Sequence, residues 1–259
     1  MSNMILATPV LSDAATLTSS TAVGAMTVNN LQKRSLNRIW RITDLSTGYV
    51  AIDFGSATTV NLIALIGHNG SASGTVTVKG GTTSAVTDYS SGALSLITGT
   101  DQGYDQNIFV HNFGGGTYRY WKLEFSDASN ADGYLQAGRL YMSMKFQPDV
   151  NISYNLAEGF IDNSRISRTI NGEPVPLRRD PYRFVEFSLD FGSETEMYGT
   201  LYDVDRLRGS SKDVLYISDP EATTHYQRRY VYGLMTDLKP IVNRNFQIFQ
   251  KSYRIEEIP

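Results

Sequence analysis

The chain has 259 residues, enough for one large β domain or two ordinary ones with cores of their own. Apolar residues make up 41% and charged residues 19%, as in globular rather than disordered chains, and the formal net charge is −3. That balance, with no block of like charges, argues against nucleic acid, whose binders gain most of their affinity by neutralising phosphates; the absence of cysteine removes thiol catalysis, disulfides and thiolate metal sites together.

The opening MSNMILATPVLSDAATL has neither the basic leader nor the long apolar stretch of a signal peptide, so synthesis in the cytoplasm without export information is expected. Helical periodicity is weak over 29–39. Val50, Ile52 and Phe54 then alternate with Ala51 and Asp53, which is the period of a half-buried strand. The run 60–67 is the longest apolar one, well short of the ~20 residues needed to cross a bilayer, so no membrane span is expected. Residues 75–78 alternate again before Gly80-Gly81, and 108–110, 120–125 and 139–144 are β-branched and aromatic. GHNGSASG, GGTTS, HNFGGGT and SDASNADG separate these runs as turns. The pattern predicts a mainly β protein whose first domain, over 1–147, is an antiparallel β-sandwich.

Charge is sparser and Gly, Ser, Thr and Ala richer before about residue 145 than after it, which places a joint in FQPDVNISYN at 146–155. Over 148–259, YRFVEFSLDFGS sets Phe184, Phe187, Leu189 and Phe191 in near-alternation, and 213–218, 227–234 and 246–256 are further strand candidates. ETEMYGTLYDVDRLRG instead spaces Met197, Leu201, Val204 and Leu207 on one helical face, with Gly209 as its stop. The second domain is predicted to be a small β-sandwich or barrel with one helix.

Few residues point to chemistry. His68-Asn69 closes the longest apolar run and has a catalytic, a sugar-binding and a purely structural reading. The structural one is the strongest: Gly67 bends the chain and the Asn69 side chain holds the turn through nearby backbone groups. His68, His111 and His225 follow no metal spacing. Asp203 and Asp205 precede two arginines, which suits surface ion pairs on a helix better than a calcium loop. The acids within 127–132 and 101–105 could converge on a cation but are read first as solvated turns. GGGTYRYW at 114–121 lacks the lysine and the helix of a phosphate loop, and reads as a loop entering a strand. The 16 tyrosines can serve a core, a protein interface or a sugar ring.

The order YVAIDFG, TVNLIALIGHN, GTVTVKG, YRYWKLEFSD, LQAGRLYM resembles the discoidin-type, galactose-binding-like jelly roll over about the first 145 residues. Ligand residues of that family sit on variable loops, so none is carried over. The whole chain, from ILATPVLSDAATLTSS through VLYISDP to FQIFQKSYRIEEI, is similar to a type of tail-tip protein of long-tailed bacteriophages. This resemblance implies a non-enzymatic virion component of the tail tip or baseplate, made in the host cytoplasm. Its partners would be other tail proteins (tube, hub, tape-measure-associated) and further copies of itself in a symmetric ring. No cofactor, metal or nucleic acid is implied. Interface chemistry favours Arg178, Arg179, Tyr182, Arg206, Arg208, Arg228, Arg229 and Tyr230 for assembly. The alternative is a carbohydrate-binding module contacting host-surface glycans, with a rim formed by His68, Asn69, Asp101, Asp105, Asn107, Phe113 and Tyr118.

Overall fold

The computed structural model describes residues 2–97, 107–222 and 224–259. They form two compact units: Met1–Gln147 with Ile217–Tyr230, and Pro148–Tyr216 with Val231–Pro259.

The first unit contains β1 (Ile5–Ala7), a short helix α1 (Val10–Ala14), β2 (Thr16–Ser19), β3 (Trp40–Ile42), β4 (Tyr49–Ile66), β5 (Thr75–Gly81), β6 (Tyr89–Ser95), β7 (Ile108–Ser126), β8 (Leu135–Ala137) and β9 (Arg139–Ser143). Its main antiparallel sheet runs β2-β4-β7-β5-β6, with β9 also paired to β4, and β3 pairs with β8 in a small second sheet. Trp40 and Ile42 of β3 and Leu135 and Ala137 of β8 share one apolar cluster with Val50, Ile52, Trp121 and Leu123 of the main sheet. Trp40 meets Phe125 of β7 with ring centroids 5.6 Å apart. The weak helical pattern near residue 29 becomes a 3-10 turn, Val28–Gln32, that buries Leu31.

Two expected strands on each side of a turn prove to be one. YVAIDFG and TVNLIALI both belong to β4, and the two runs flanking GGGT both belong to β7. The reason is that the irregularities match: β4 carries extra residues between Asp53 and Thr58, and β7 carries its own between Asn112 and Gly116, so the ladder resumes after each. Gly55 takes a positive φ of 75° in the first bulge and donates its N–H to the Asp53 carboxylate at 2.7 Å. The glycines of GGGTYRYW therefore bend a strand rather than form a loop.

Ile217–Tyr230 joins this unit through Gln227, which is fully buried. Its amide nitrogen donates to the Ile108 carbonyl and its amide oxygen accepts from the Ile108 N–H, both at 2.9 Å. One side chain thus supplies the pair of hydrogen bonds a neighbouring strand would give.

The second unit contains β10 (Ala157–Ile161), β11 (Arg165–Arg168), β12 (Pro174–Leu177), β13 (Tyr182–Gly192), a π-helical stretch Thr195–Leu201 running into α2 (Tyr202–Arg208), β14 (Asp213–Ile217), β15 (Tyr230–Leu238), β16 (Val242–Asn245) and β17 (Ile248–Glu257). The sheet order is β14-β15-β17-β13-β10, with β16 also on β17, while β11 and β12 form a separate hairpin. The helical stretch is as the sequence spacing predicts, and the Gly209 N–H closes it on the Asp205 carbonyl at 2.8 Å. Its buried face carries Met197 and Leu201 but then Arg208, not Leu207, which is exposed. Arg208 falls two turns after Leu201 on the same face of a regular α-helix, and Leu207 one residue short of it. In β13 the buried apolar side chains are Val185, Phe187 and Leu189. Phe184 lies half-buried on the other face, and a register shift between Leu189 and Gly192 turns Phe191 outward.

Candidate functional site

The unusual surface of the first unit is aromatic. Trp121, at the middle of β7, is fully buried and stands in register with Ile52 of β4 and Gly80 of β5. Three rings meet it edge-on: Tyr118 at 5.5 Å, Tyr89 at 5.9 Å and Phe113 at 6.0 Å between centroids. Edge-to-face contacts of this kind suit the ring quadrupole. Backbone makes room for them, since a Cβ on Gly80 would lie 2.8 Å from Tyr118 and one on Gly116 only 2.7 Å from it. Tyr89 stacks on Phe113 at 5.4 Å, and Phe113 on His111 at 4.7 Å with planes 6° apart. The Tyr89 hydroxyl and His111 Nε2 are hydrogen-bonded at 2.9 Å.

Tyr89, His111, Phe113 and Tyr118 are each half-buried, so this tier is an aromatic place where the apolar cluster meets water. Partial burial lowers the His111 pKa and raises that of Tyr89, which keeps both groups neutral near pH 7. The arrangement is a ring platform with an uncharged hydrogen-bonding edge. It can hold the C–H face of a polyhydroxylated ligand while the edge bonds its hydroxyls.

His68 and Asn69 lie elsewhere, at the end of β4. Gly67 has φ +67° and turns the chain. The Asn69 amide donates to Asp132 at 2.7 Å and to the Tyr134 carbonyl at 3.0 Å, and its oxygen accepts from the Gln136 N–H at 2.8 Å. Asn69 thus fastens the turn to the distant segment 132–136 rather than to the neighbouring backbone expected of it. His68 is only 3% exposed, which corrects its place on a glycan rim: a ring enclosed by protein cannot touch a surface ligand. Its Nδ1 accepts from the Gly70 N–H at 3.2 Å, and burial pulls its pKa down to about 4. Asn107 belongs to the same turn, its carbonyl accepting from the N–H groups of Gly67 and His68. Phe113 and Tyr118 are drawn instead into the aromatic tier, so the expected rim resolves into two clusters. Asp101 and Asp105 lie outside the described residues.

The loop 127–132 is also occupied by its own bonds. Asp127 accepts from the Ser71 hydroxyl and N–H and from Asn130, and Asp132 accepts from Asn69. Among the described residues no three acidic or histidine groups come together as metal ligands.

The residues expected at an assembly interface also divide. Arg178, Arg179 and Arg228 are exposed, and Tyr182 and Arg229 are half-buried. Arg206 is exposed and pairs with Asp203 at 3.2 Å, the helix-surface pair that its spacing suggests. Two need correction. Arg208 is buried with its guanidinium on the carboxylate and carbonyl of Asp213, and Tyr230 is buried against Tyr226, so neither offers a free surface to a neighbour.

Tyr89, His111 and Trp121 escape sequence reasoning as parts of a site. Tyr89 sits in the serine-rich DYSSGAL, and nothing in the spacing of the three ties them together.

The fold is that of a mainly β protein, and the solved structures it is similar to include carbohydrate-binding modules of family 32. One is the family 32 CBM from C. perfringens NanJ in complex with galactose, at 14% identity and TM-score 0.42, covering 54% of this chain and 99% of that one. Another is CpGH89CBM32-5, from Clostridium perfringens, in complex with GalNAc-β-1,3-galactose, at 10% identity and TM-score 0.40, covering 52% and 99%. A third is chitosan-binding module 1 from the chitosanase/glucanase of Paenibacillus sp. IK-5, at 17% identity and TM-score 0.37, covering 51% and 96%. No family model and no curated protein matches the chain.

Proposed function

We propose that the first unit is a non-catalytic glycan-recognition module. The observation that carries this reading is the half-buried tier Tyr89–Phe113–His111 with Tyr118, seated on Trp121. Stacked rings beside a neutral hydroxyl–imidazole pair suit sugar, which offers apolar C–H faces and hydroxyls on one small body. Titrating the full chain with host-surface polysaccharides and their constituent sugars tests it by calorimetry. Millimolar or tighter binding that Phe113→Ala weakens is expected, and no heat at millimolar sugar refutes the reading.

A second, compatible reading is a structural part of a phage tail tip, made in the host cytoplasm and held there by other tail proteins and by copies of itself. One observation in the second unit favours it. The hairpin β11–β12 exposes Ile166, Ile170, Val175 and Leu177, and Phe160 of β10 is exposed as well. A two-stranded hairpin is marginal in water unless its apolar side is covered, and exposed apolar patches mark interaction surfaces. Electron micrographs of virions labelled with antibody to this protein test it; label absent from the tail tip refutes it.

A further inference from the structure

A cavity opens on the outer face of the first unit's main sheet, with a volume of about 260 Å³. Strand register explains its floor. Thr16, Asp53 and Tyr120 form one cross-strand row and Thr18, Ala51 and Lys122 the next, all on the face opposite the core residues Leu17, Ile52 and Trp121. Ala51 is the small residue at the centre of the depression.

The wall comes from the loop between β5 and β6. Gly81 stands in register with Tyr120, and a Cβ there would lie 2.6 Å from the Val86 Cα, so the loop folds down where a side chain would otherwise stand. Asp88 pins the loop by accepting from the Thr82 N–H at 2.7 Å and hydroxyl at 2.8 Å. Val86 is held at φ +48°, a conformation β-branched residues avoid, and is 6% exposed. Backbone strain of this kind collects where a wall must stand in one place for a ligand.

The lining selects a ligand class. Asp53 is already paired with Arg119 at 2.8 and 3.0 Å, and Lys122 with Glu124 at 2.8 Å, so the cavity offers hydrogen-bonding capacity without net charge. Around these groups stand the hydroxyls of Thr16, Thr18, Ser84 and Tyr120, with Ala51 and Val86 as the apolar part. The volume falls below the ~300 Å³ at which pockets for drug-sized ligands begin, which suits one ring and not a chain of them. We infer that this cavity binds a single neutral saccharide unit, as a subsite separate from the aromatic tier. The inference rests on glycan recognition as the function of the first unit.

The test is amide chemical-shift mapping of the isotope-labelled full chain titrated with galactose, glucose, mannose and N-acetylglucosamine. At least one sugar is expected to shift the amides of Ala51, Ser84, Val86 and Lys122. Ala51→Leu, which fills the floor, and Ser84→Tyr, on the exposed loop, are each expected to weaken that response tenfold or more while shifts at Tyr89 and Phe113 persist. Two variants on different elements guard against one that misfolds. Shifts confined to the aromatic tier, or pocket shifts unchanged in both variants, overturn the subsite and leave glycan recognition standing. Shifts at neither place overturn both, and shifts in the pocket alone uphold the subsite and overturn the tier.

Discussion

The two units solve the same packing problem with different interiors. In the first, both tryptophans and inward-facing residues of β2 to β9, but for β6, enter one apolar cluster with Tyr89 and Leu94 of β6 packed on it, and Tyr89, Phe113 and Tyr118 extend it to the surface. The second buries more charge: Arg183 with Glu257, Arg208 with Asp213 and Lys251 with Asp205, where the first buries Arg139 against an exposed Asp13. The Tyr253 hydroxyl adds a bond to Asp205 at 3.1 Å, and Tyr232 one to Asp213 at 3.3 Å. The contrast teaches where each unit is vulnerable. An apolar core tolerates half-exposed rings at its rim, whereas a charged interior tolerates no unmatched partner.

Removing one such partner is the strongest way to break the comparison. Asp213→Ala strands the Arg208 guanidinium inside the second unit and is expected to cost about 3–5 kcal/mol in guanidinium denaturation. Replacing both partners with apolar residues of similar volume is expected to recover most of that loss. A cost below about 1 kcal/mol for the single variant removes the contrast.

The first unit's weak point is acid. His68 is buried and neutral, with its pKa depressed from 6.5 to about 4. The unfolded chain therefore binds a proton that the folded unit does not as pH falls between those values. Stability is full above about 6.5 and is lost as pH drops toward 4, by up to about 3 kcal/mol from this group. Hydrogen exchange of β4 and β7 across that range measures it, and His68→Gln is expected to flatten the slope. An unchanged slope in that variant assigns the acid sensitivity elsewhere.

Smaller effects sharpen the difference. Phe113→Ala removes one ring from the tier and is expected to weaken sugar binding about tenfold, roughly 1.4 kcal/mol, as read by calorimetry. The smallest expected effect is at Asp203→Ala on the helix surface. Its pair with Arg206 is more than half exposed, so thermal melting should report less than about 0.5 kcal/mol. A larger loss there means that surface charge supports the second unit as well as buried charge.

Much of the architecture is written locally. Val50 and Ile52, or Phe187 and Leu189, announce an inward face because side chains alternate along a strand, and all four are buried. Asn69 is recognisable as a turn residue from its place after Gly67, but its partners at 132–136 are distant in sequence and no local pattern names them. The candidate site was half legible. Phe113 and Tyr118 belong to a loop suspected of touching sugar, but Tyr89, His111 and Trp121 were not tied to them. The hairpin β11–β12 was missed because PVPL and RISR carry no buried alternation, both strands being exposed.

By itself the sequence determined the mainly β character and the helical stretch before Gly209, since these depend on periodicity. Only the tertiary structure decided that YVAIDFG and TVNLIALI continue as one strand and that Gln227 completes the ladder at Ile108. The same holds for Arg208, which turns inward to Asp213, and for Tyr89, which joins the rings of β7. Alternation tells which way a side chain points, but not which distant strand lies beside it, and these contacts are made across strand neighbours and bulges that no local pattern encodes.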